Sequence, residues 1–235
     1  MSSSFGPKGR RGLPDQLRNF GRHLVYAAGT KTEPYYVQNI KECIASKYKV
    51  RPNDIELVSV GNGKSLNTKS LAKHALKDVD ERRNNGEAID HVWVFFDKDS
   101  FPLSHYKEAY EMIVKKNTST NDEGVPCDKD GIAWHALPSN ECFELLLLLY
   151  FNYETSAGSR KTYAKRIEAN VRKTIPDWTY AKNLQGIHST MIAAGGKIDK
   201  AIKFGKKLEK ANGLGNPTSL AYRFLEYFQL YLEKK

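Results

Sequence analysis

The chain has 235 residues, with 37 Lys and Arg against 27 Asp and Glu, so its formal net charge is +10 and its pI is near 9.3. A hydrophobic content of 40% and an aromatic content of 11% are enough for a packed core and exclude wholesale disorder. The longest apolar run, Leu145 to Phe151, is far shorter than the roughly 18 residues of a membrane-spanning helix. A secretory signal requires an apolar segment behind its basic start, and no such segment follows the basic N-terminus of this chain. The three cysteines are widely spaced and indicate neither a disulfide framework nor a zinc site. We therefore expect a soluble, cytoplasmic protein with no membrane partner.

The positive charge is concentrated in two parts of the chain. Residues 155–212 hold 13 Lys and Arg against 4 Asp and Glu, and the first 22 residues hold 5 against 1. Such clustering favours a polyanionic partner such as nucleic acid, because each neutralised phosphate releases condensed counterions. A lysine-rich surface that only keeps the protein soluble is the alternative.

Strand and helix patterns alternate over the first two thirds of the chain. Residues 1–20 are rich in Ser, Gly and Arg and predict a flexible basic arm. Short apolar runs, rich in β-branched and aromatic residues, predict strands at 23–28, 55–60, 91–96 and 131–137. Apolar residues at helical spacing predict helices at 33–47, 66–79 and 103–114. A buried helix is predicted to run to Phe151 after the N-cap chemistry of Ser139-Asn140-Glu141.

The strand patterns stop after about Thr155, and residues 160–235 predict amphipathic helices. On the helix predicted from Ile198 to Ala211, one face carries lysines that either contact a nucleic-acid backbone or form a solvated face, among them Lys203, Lys206 and Lys207. The alternation predicts an α/β protein with a mostly parallel sheet and helices on both faces, followed by a basic α-helical extension. The predicted organisation is an arm at 1–20, an α/β domain at 21–155 and a helical region at 156–235.

Asp97 and Asp99 follow directly after the strongest strand pattern. In open α/β sheets the ligand site lies at the carboxyl ends of the strands, and two carboxylates can approach one point if the chain turns at Lys98. Such a pair suits Mg²⁺ (or Mn²⁺), and in a basic protein it indicates metal-assisted phosphoryl chemistry on nucleic acid. The alternative is an Asp-rich turn in which Asp99 caps the next helix.

Gly61-Asn62-Gly63-Lys64-Ser65 does not form a nucleotide-binding loop, because Val58 stands where that motif requires its first glycine. The segment predicts a turn from strand to helix that is capped by Ser65. Lys64 at such a helix N-terminus is a candidate for a modest phosphate contact.

Five segments, in order along the chain, resemble the motifs of the RloB family. They are Gly-Thr-Lys-Thr-Glu-Pro-Tyr-Tyr at 29–36, Gly-Asn-Gly at 61–63, Val-Phe-Phe-Asp-Lys-Asp at 94–99, Ser-Asn-Glu-Cys-Phe-Glu-Leu at 139–145 and Asn-Pro-Thr-Ser-Leu at 216–220. The resemblance extends from about His23 to the last helix. Members of this family are bacterial defence-associated proteins with a TOPRIM-like domain, the metal-dependent fold shared with topoisomerases, primases and OLD-type nucleases.

The resemblance implies a TOPRIM-like fold at 21–155 and a Mg²⁺-dependent endonuclease that acts as the toxin of an anti-phage, abortive-infection system. It also implies an ABC- or OLD-like ATPase partner and a nucleic-acid substrate, with RNA such as tRNA preferred over DNA. Asp97 and Asp99 would hold the metal, Glu144 would belong to the site region, and Lys31 or Lys98 would touch the scissile phosphate. The C-terminal helices suit a homodimer, the ATPase or the nucleic acid equally well.

One residue departs from the family pattern. TOPRIM sites carry a Glu at the end of the first strand, just before the Gly, and the resemblance aligns that position with Ala28. Either the chain is a natural variant without activity, or Ala28 is an engineered inactivation, or Glu33 supplies the carboxylate; we favour the engineered replacement because the other motifs are intact. Glu33 is also explained by favourable placement in the first turn of a helix. A catalytically inactive adaptor that docks on the ATPase or on nucleic acid is the alternative function, and a general RNA-binding protein with an accidental Asp pair is a weaker one.

Overall fold

The computed structural model describes residues 20–48, 50–51, 53–58, 60 and 66–233. The strands are β1 (His23–Ala27), β2 (Ile55–Leu57), β3 (His91–Asp97), β4 (Ser119–Thr120), β5 (Pro126–Cys127), β6 (Ala133–Asn140) and β7 (Thr218–Ser219). The helices are α1 (Thr32–Lys47), α2 (Thr68–Asn84), α3 (Leu103–Val114), α4 (Glu144–Leu149), α5 (Arg160–Val171), α6 (Ile187–Ala193), α7 (Ile198–Asn212) and α8 (Tyr222–Glu233). Among the described residues, no helix combines the length and the hydropathy needed to cross a bilayer.

Five strands form one sheet in the order β2-β1-β3-β6-β7. The pairings of β1 with β2, of β1 with β3 and of β3 with β6 are all parallel, whereas β7 runs antiparallel to β6. Ala27 of β1 lies opposite Phe95 of β3, and Asp97 of β3 lies opposite Ser139 of β6. The carboxyl ends of the three central strands therefore share one edge, and the predicted mostly parallel α/β sheet is confirmed.

The side chains of the central strands alternate between two buried layers. Val25, Trp93 and Phe95 face one layer, which is completed by α1 and by the helices of the C-terminal third. Leu24 and Val94 face the other layer, which is completed by α2 and α3. Helices thus cover both faces, because strands buried on both sides need an apolar partner on each.

Two small strand pairings escaped the sequence analysis, and the prediction that strands stop after Thr155 is wrong. Ser139 pairs with Ser219 of β7, and the two side-chain hydroxyls lie 2.8 Å apart. A second pairing, Ser119 with Cys127, forms a hairpin between α3 and β6. The strands β4, β5 and β7 have two residues each, which is too few to show a hydrophobic period.

The N-cap role predicted for Ser139 and Asn140 is also wrong. Both residues belong to β6, and α4 begins only at Glu144, with Phe143 at the N-cap position. The Ser139 hydroxyl bonds across the sheet to Ser219, so it is not available to cap a helix.

Residues on both sides of the predicted boundary at 155/156 contribute to the same buried layer. Trp93 packs against Phe224 and Phe228 of α8, with ring centroids 5.2 and 6.1 Å apart. Of the predicted arm at 1–20, only Phe20 is described; it is buried and lies 4.9 Å from the ring of Tyr231. A flexible arm would therefore end before residue 20.

Candidate active site

A cleft of about 330 Å³ opens at the carboxyl ends of β1 and β3, beside the start of α4. Its acidic residues are Glu33, Asp97, Asp99 and Glu144, and its basic residues are Lys31, Arg160 and Lys182. This edge of a parallel sheet is where ligands bind in open α/β folds. The structure therefore brings together in one cleft all four carboxylates that the sequence analysis singled out.

The way β3 ends positions Asp97 and Asp99. Asp97 is the last residue of β3, and the Lys98 backbone amide donates to the Ser139 carbonyl at 2.8 Å, so the ladder to β6 continues past the strand. Asp99 has a φ of 41°, in the left-handed region that aspartate tolerates better than most residues. The chain turns sharply there, and both carboxylates approach one point. The alternative in which Asp99 caps the next helix is wrong, because Pro102 holds the N-cap position of α3.

Glu33 reaches the cleft from the first turn of α1. Its carboxylate lies directly against Gly29, where an added Cβ would be only 2.6 Å from the Glu33 Oε2. The absence of a side chain at Gly29 is thus what admits the carboxylate. Glu33 is 6% exposed, so it is not simply a solvated residue at a helix N-terminus.

Glu144 begins α4 and is only 1% exposed, although its side chain is acidic. The Tyr180 hydroxyl donates to Glu144 Oε1 at 2.9 Å. The loop carrying Tyr180 is itself anchored, because the Tyr180 backbone amide donates to Glu168 Oε1 of α5 at 2.9 Å. Glu144 is therefore a buried, hydrogen-bonded acid held by the C-terminal third of the chain.

One guanidinium links three of the four acids. Nη2 of Arg160 lies 3.0 Å from Asp97 Oδ2, and 2.9 and 3.0 Å from Asp99 Oδ1 and Oδ2. Nε of Arg160 lies 3.3 Å from both carboxylate oxygens of Glu144. These are charge-assisted contacts to groups on three different elements, with Arg160 itself the first residue of α5.

The electrostatics of the cleft show a shortage of positive charge. Burial, with a further contribution from the Glu144 carboxylate, raises the pKa of Glu33 to about 7 against the lowering effects of its backbone hydrogen bond and of Arg160. Burial likewise raises the pKa of Asp97 well above its usual range, with Glu33 and Glu144 adding to the effect. Burial alone would lower the pKa of Arg160, but the three carboxylates around it raise that pKa overall. Four carboxylates line this cleft, and the Arg160 guanidinium contacts three of them.

The donor set fits a divalent cation in chemical type. Carboxylate oxygens are the ligands that Mg²⁺ and Mn²⁺ take, and acids whose pKa is raised by burial and by neighbouring carboxylates are stabilised in their ionised form by added positive charge. In the described part of the chain, however, no three His, Cys, Asp or Glu side chains are arranged so as to hold a metal ion. The point that faces both Asp97 and Asp99 is occupied by Nη2 of Arg160.

Ala28 follows β1 and lines the same cleft. Its backbone amide donates to the Phe95 carbonyl at 3.0 Å, so the sheet ladder fixes its position beside β3. A methyl group neither binds a cation nor transfers a proton. Ala28 thus borders the cleft that holds Asp97, while its methyl group belongs to the buried layer completed by α2 and α3.

The lysines named in the sequence analysis occupy different places. Lys31 lines the cleft, whereas the Lys98 Nζ donates to the Asp99 carbonyl at 3.0 Å. On α7, Lys206 pairs with Glu226, Lys207 lies over the Tyr153 ring at 4.1 Å from its centroid, and Lys203 is exposed; none of the three lines the cleft. Lys64 and the rest of segment 61–65 lie outside the described residues.

Sequence reasoning missed three residues of the site: Arg160, Tyr180 and Lys182. Arg160 is 61 residues away from Asp99 in sequence and counted only toward the net charge of its region. The one signal available was indirect: four acids assigned to one site require a cation nearby. Nothing in the local pattern around residue 160 identifies which basic residue it is.

Comparison with known proteins identified one family. The profile described as RloB-like protein matches residues 23–227, most of the chain and all of the cleft. No curated protein and no solved structure gave a match. The sequence resemblance is thereby confirmed at the level of the family: the chain belongs to the RloB-like proteins.

Proposed function

We propose that this protein is a TOPRIM-type, divalent-metal-dependent nuclease whose site has been disarmed at residue 28. The observation that carries the proposal is the convergence of Glu33, Asp97, Asp99 and Glu144 at the carboxyl edge of a parallel sheet. Four acids in one cleft, three of them buried, require a functional reason in a protein of net charge +10, because charges of one sign repel when they are brought together.

In the proposed site, Asp97 and Asp99 hold the cation, with Glu33 and Glu144 available as further oxygen ligands. When bound, a divalent cation neutralises charge on a phosphoryl group and lowers the pKa of a coordinated water. Lys31 and Lys182, which line the cleft, are placed to attract the phosphate backbone toward the acids. Residue 28 is the place for the carboxylate that would complete the site.

The biological setting follows from family membership and charge. We propose that the protein is the toxin of an anti-phage, abortive-infection system, that an ABC- or OLD-like ATPase controls it, and that RNA such as tRNA is its substrate in preference to DNA. The excess of basic residues at 155–212 supports binding to a nucleic-acid backbone, since phosphate contacts supply most of the affinity for such polymers.

The test is to restore the missing carboxylate in cells. We expect Ala28→Glu to arrest growth and to produce new RNA ends detected by sequencing, whereas the parent chain does neither. Ala28→Glu/Asp97→Ala should lose both effects, and Ala28→Glu/Asp122→Ala, which changes an exposed acid outside the cleft, should keep them.

The other outcomes are also informative. Growth arrest with intact RNA and broken DNA would assign DNA as the substrate. Growth and nucleic acids that stay unchanged in every arm, with the system's own ATPase co-expressed, would contradict the nuclease proposal.

A catalytically inactive adaptor is a second candidate, and two observations favour it. Ala28 removes one carboxylate, and Arg160 already neutralises part of the acid cluster without a metal. An adaptor would bind the ATPase or nucleic acid equally well with and without Ala28→Glu, and its binding would not depend on divalent cations.

A further inference from the structure

We infer that Arg160 is the built-in counter-ion of the acid cluster and that its guanidinium must leave Asp97 and Asp99 before a divalent cation can bind. The inference deepens the proposed function and rests on the part of it that assigns a cation to these acids. It concerns a residue of the C-terminal third that controls access to a site built mainly by the first two thirds.

Arg160 and a divalent cation would compete for the same oxygen atoms. Nη2 of Arg160 contacts Asp97 Oδ2 and both carboxylate oxygens of Asp99, all at 2.9 to 3.0 Å. A magnesium or manganese ion held by these two acids would need lone pairs of the same oxygen atoms. Two cations cannot occupy one position between two carboxylates, so binding of one displaces the other.

The acids of the cleft outnumber the positive charges in contact with them. With Arg160 in place, one guanidinium contacts three carboxylates, and Glu33 is a fourth acid buried in the same cleft. A single positive charge therefore does not fully balance the cluster. A divalent cation balances it better, which gives the exchange a thermodynamic reason.

The Arg160 side chain is able to move away from Asp97 and Asp99. Its side-chain hydrogen bonds and ion pairs in the described structure all go to the three acids, and the side chain is 31% exposed, so solvent reaches it. The backbone beside it is fixed, because the Gly158 amide donates to the Tyr163 hydroxyl at 3.0 Å and Ser159 caps α5. The movement needed is thus a rotation of one side chain rather than a displacement of α5.

The experiment measures Mn²⁺ binding by electron paramagnetic resonance and by the thermal shift that Mn²⁺ produces. The proteins are the parent chain, Arg160→Gln, Arg160→Lys, Arg160→Gln/Asp97→Asn and the control Arg166→Gln. Arg166 lies on the same helix and pairs with Glu154 outside the cleft. Arg166→Gln therefore removes the same charge as Arg160→Gln without changing the acid cluster.

We expect Arg160→Gln to bind Mn²⁺ at least about tenfold more tightly than the parent, as a coupling between two mutually exclusive cations predicts. Arg160→Lys should fall between the two, since an ammonium group lacks the fork that joins several carboxylates. Arg166→Gln should match the parent, and Arg160→Gln/Asp97→Asn should lose the gain. If Arg160→Gln is poorly folded without metal, its melting temperature should rise far more on adding Mn²⁺ than that of the parent.

The outcomes separate the inference from the function on which it rests. Equal Mn²⁺ affinity in the parent and in Arg160→Gln, or weaker affinity in the variant, overturns the inference, while cleavage by Ala28→Glu would still support the nuclease. If Mn²⁺ binds none of these proteins, nor the same variants carrying Ala28→Glu, both the inference and the metal site are wrong.

Discussion

At the scale of single residues, the site depends on acids that are buried among other acids. Glu33 is the clearest case, because Gly29 lets its carboxylate approach the backbone and burial raises its pKa to about 7. Neither property follows from the residue type. Both follow from the fold, which places Glu144 and Asp99 near the same cleft.

Because the pKa of Glu33 is raised, ionisation of this buried carboxyl group lowers the stability of the folded protein at high pH. Glutamine does not ionise, so Glu33→Gln removes this loss of stability. The unfolded chain releases the Glu33 proton near pH 4.5, whereas the folded chain keeps it until about pH 7. Since the folded state binds more protons in that window, its stability falls as the pH rises through it. Glu33→Gln should therefore raise the melting temperature at pH 8 by several degrees and have little effect below pH 4.5.

Calorimetric melting curves at several pH values, in metal-free buffer, measure this difference. Glu42→Gln is the matched control, since Glu42 lies exposed on the same helix and its bond to Gln38 is a surface contact. A stabilisation by Glu33→Gln that stays the same at pH 4 and pH 8 would contradict the assignment of the effect to this carboxyl group.

At the scale of elements, α7 and α8 approach each other closely at a glycine. Gly205 of α7 lies against the Tyr222 ring of α8, and an added Cβ would be only 2.4 Å from Tyr222 Cδ1. The contact reaches back to the base of that ring, so the side chain cannot swing away. Gly205 therefore sets the separation of α7 and α8, and through α8 the packing against Trp93.

Gly205→Ala is expected to destabilise the protein by about 1–3 kcal/mol through overpacking, although alanine favours a helix. Urea unfolding measures the change in the free energy of unfolding. Lys203→Ala, an exposed change on the same helix, should stay within about 0.5 kcal/mol of the parent. A neutral or stabilising Gly205→Ala would show that α7 and α8 adjust freely to each other.

Most long elements could be predicted from periodicity, and the short ones could not. The helix at 103–114 has the predicted bounds, and β3 extends the predicted 91–96 by one residue. In contrast, β7 and the β4–β5 hairpin are too short to show a hydrophobic period. Ser139 is a residue type typical of helix caps, but it lies in a strand. The pairing of Ser139 with Ser219, 80 residues away, decided that case.

At the scale of the whole molecule, the residues after 155 complete the core of the residues before it. The leucines of α4 are at most 1% exposed, and their buried cluster includes Tyr163, Met191 and Phe228. On one face of the sheet, the C-terminal helices together with α1 cover Trp93 and Phe95. The same third supplies Arg160 and Lys182 to the cleft. The stability of the fold and the assembly of the site therefore both depend on the residues after 155.

We therefore predict that a chain ending at residue 155 lacks a cooperative unfolding transition. Removal of α5 to α8 exposes the apolar layer around Trp93, and exposed apolar area costs about 25 cal/mol per Å². Near-UV circular dichroism and thermal melting of the truncated and full-length chains measure the effect. A sharp transition and a native-like Trp signal from the truncated chain would instead show that residues 21–155 form an independent domain.

The sequence by itself determined the fold class, the family and the acidic half of the site. Apolar runs and helical spacing are local properties, and Asp97 and Asp99 are adjacent to the strand that carries them, so a reader of the chain finds them directly. Glu33 and Glu144 became site candidates through resemblance, as did the departure at Ala28.

The tertiary structure decided what balances those acids. Arg160 meets Asp97 and Asp99 across more than sixty residues, and only the packing of α5 beside the sheet places it there. The raised pKa of Glu33 is likewise a product of burial and of neighbours distant in sequence. Electrostatic interactions act through space rather than along the chain, so the sequence showed which charges exist and the fold decided which of them meet.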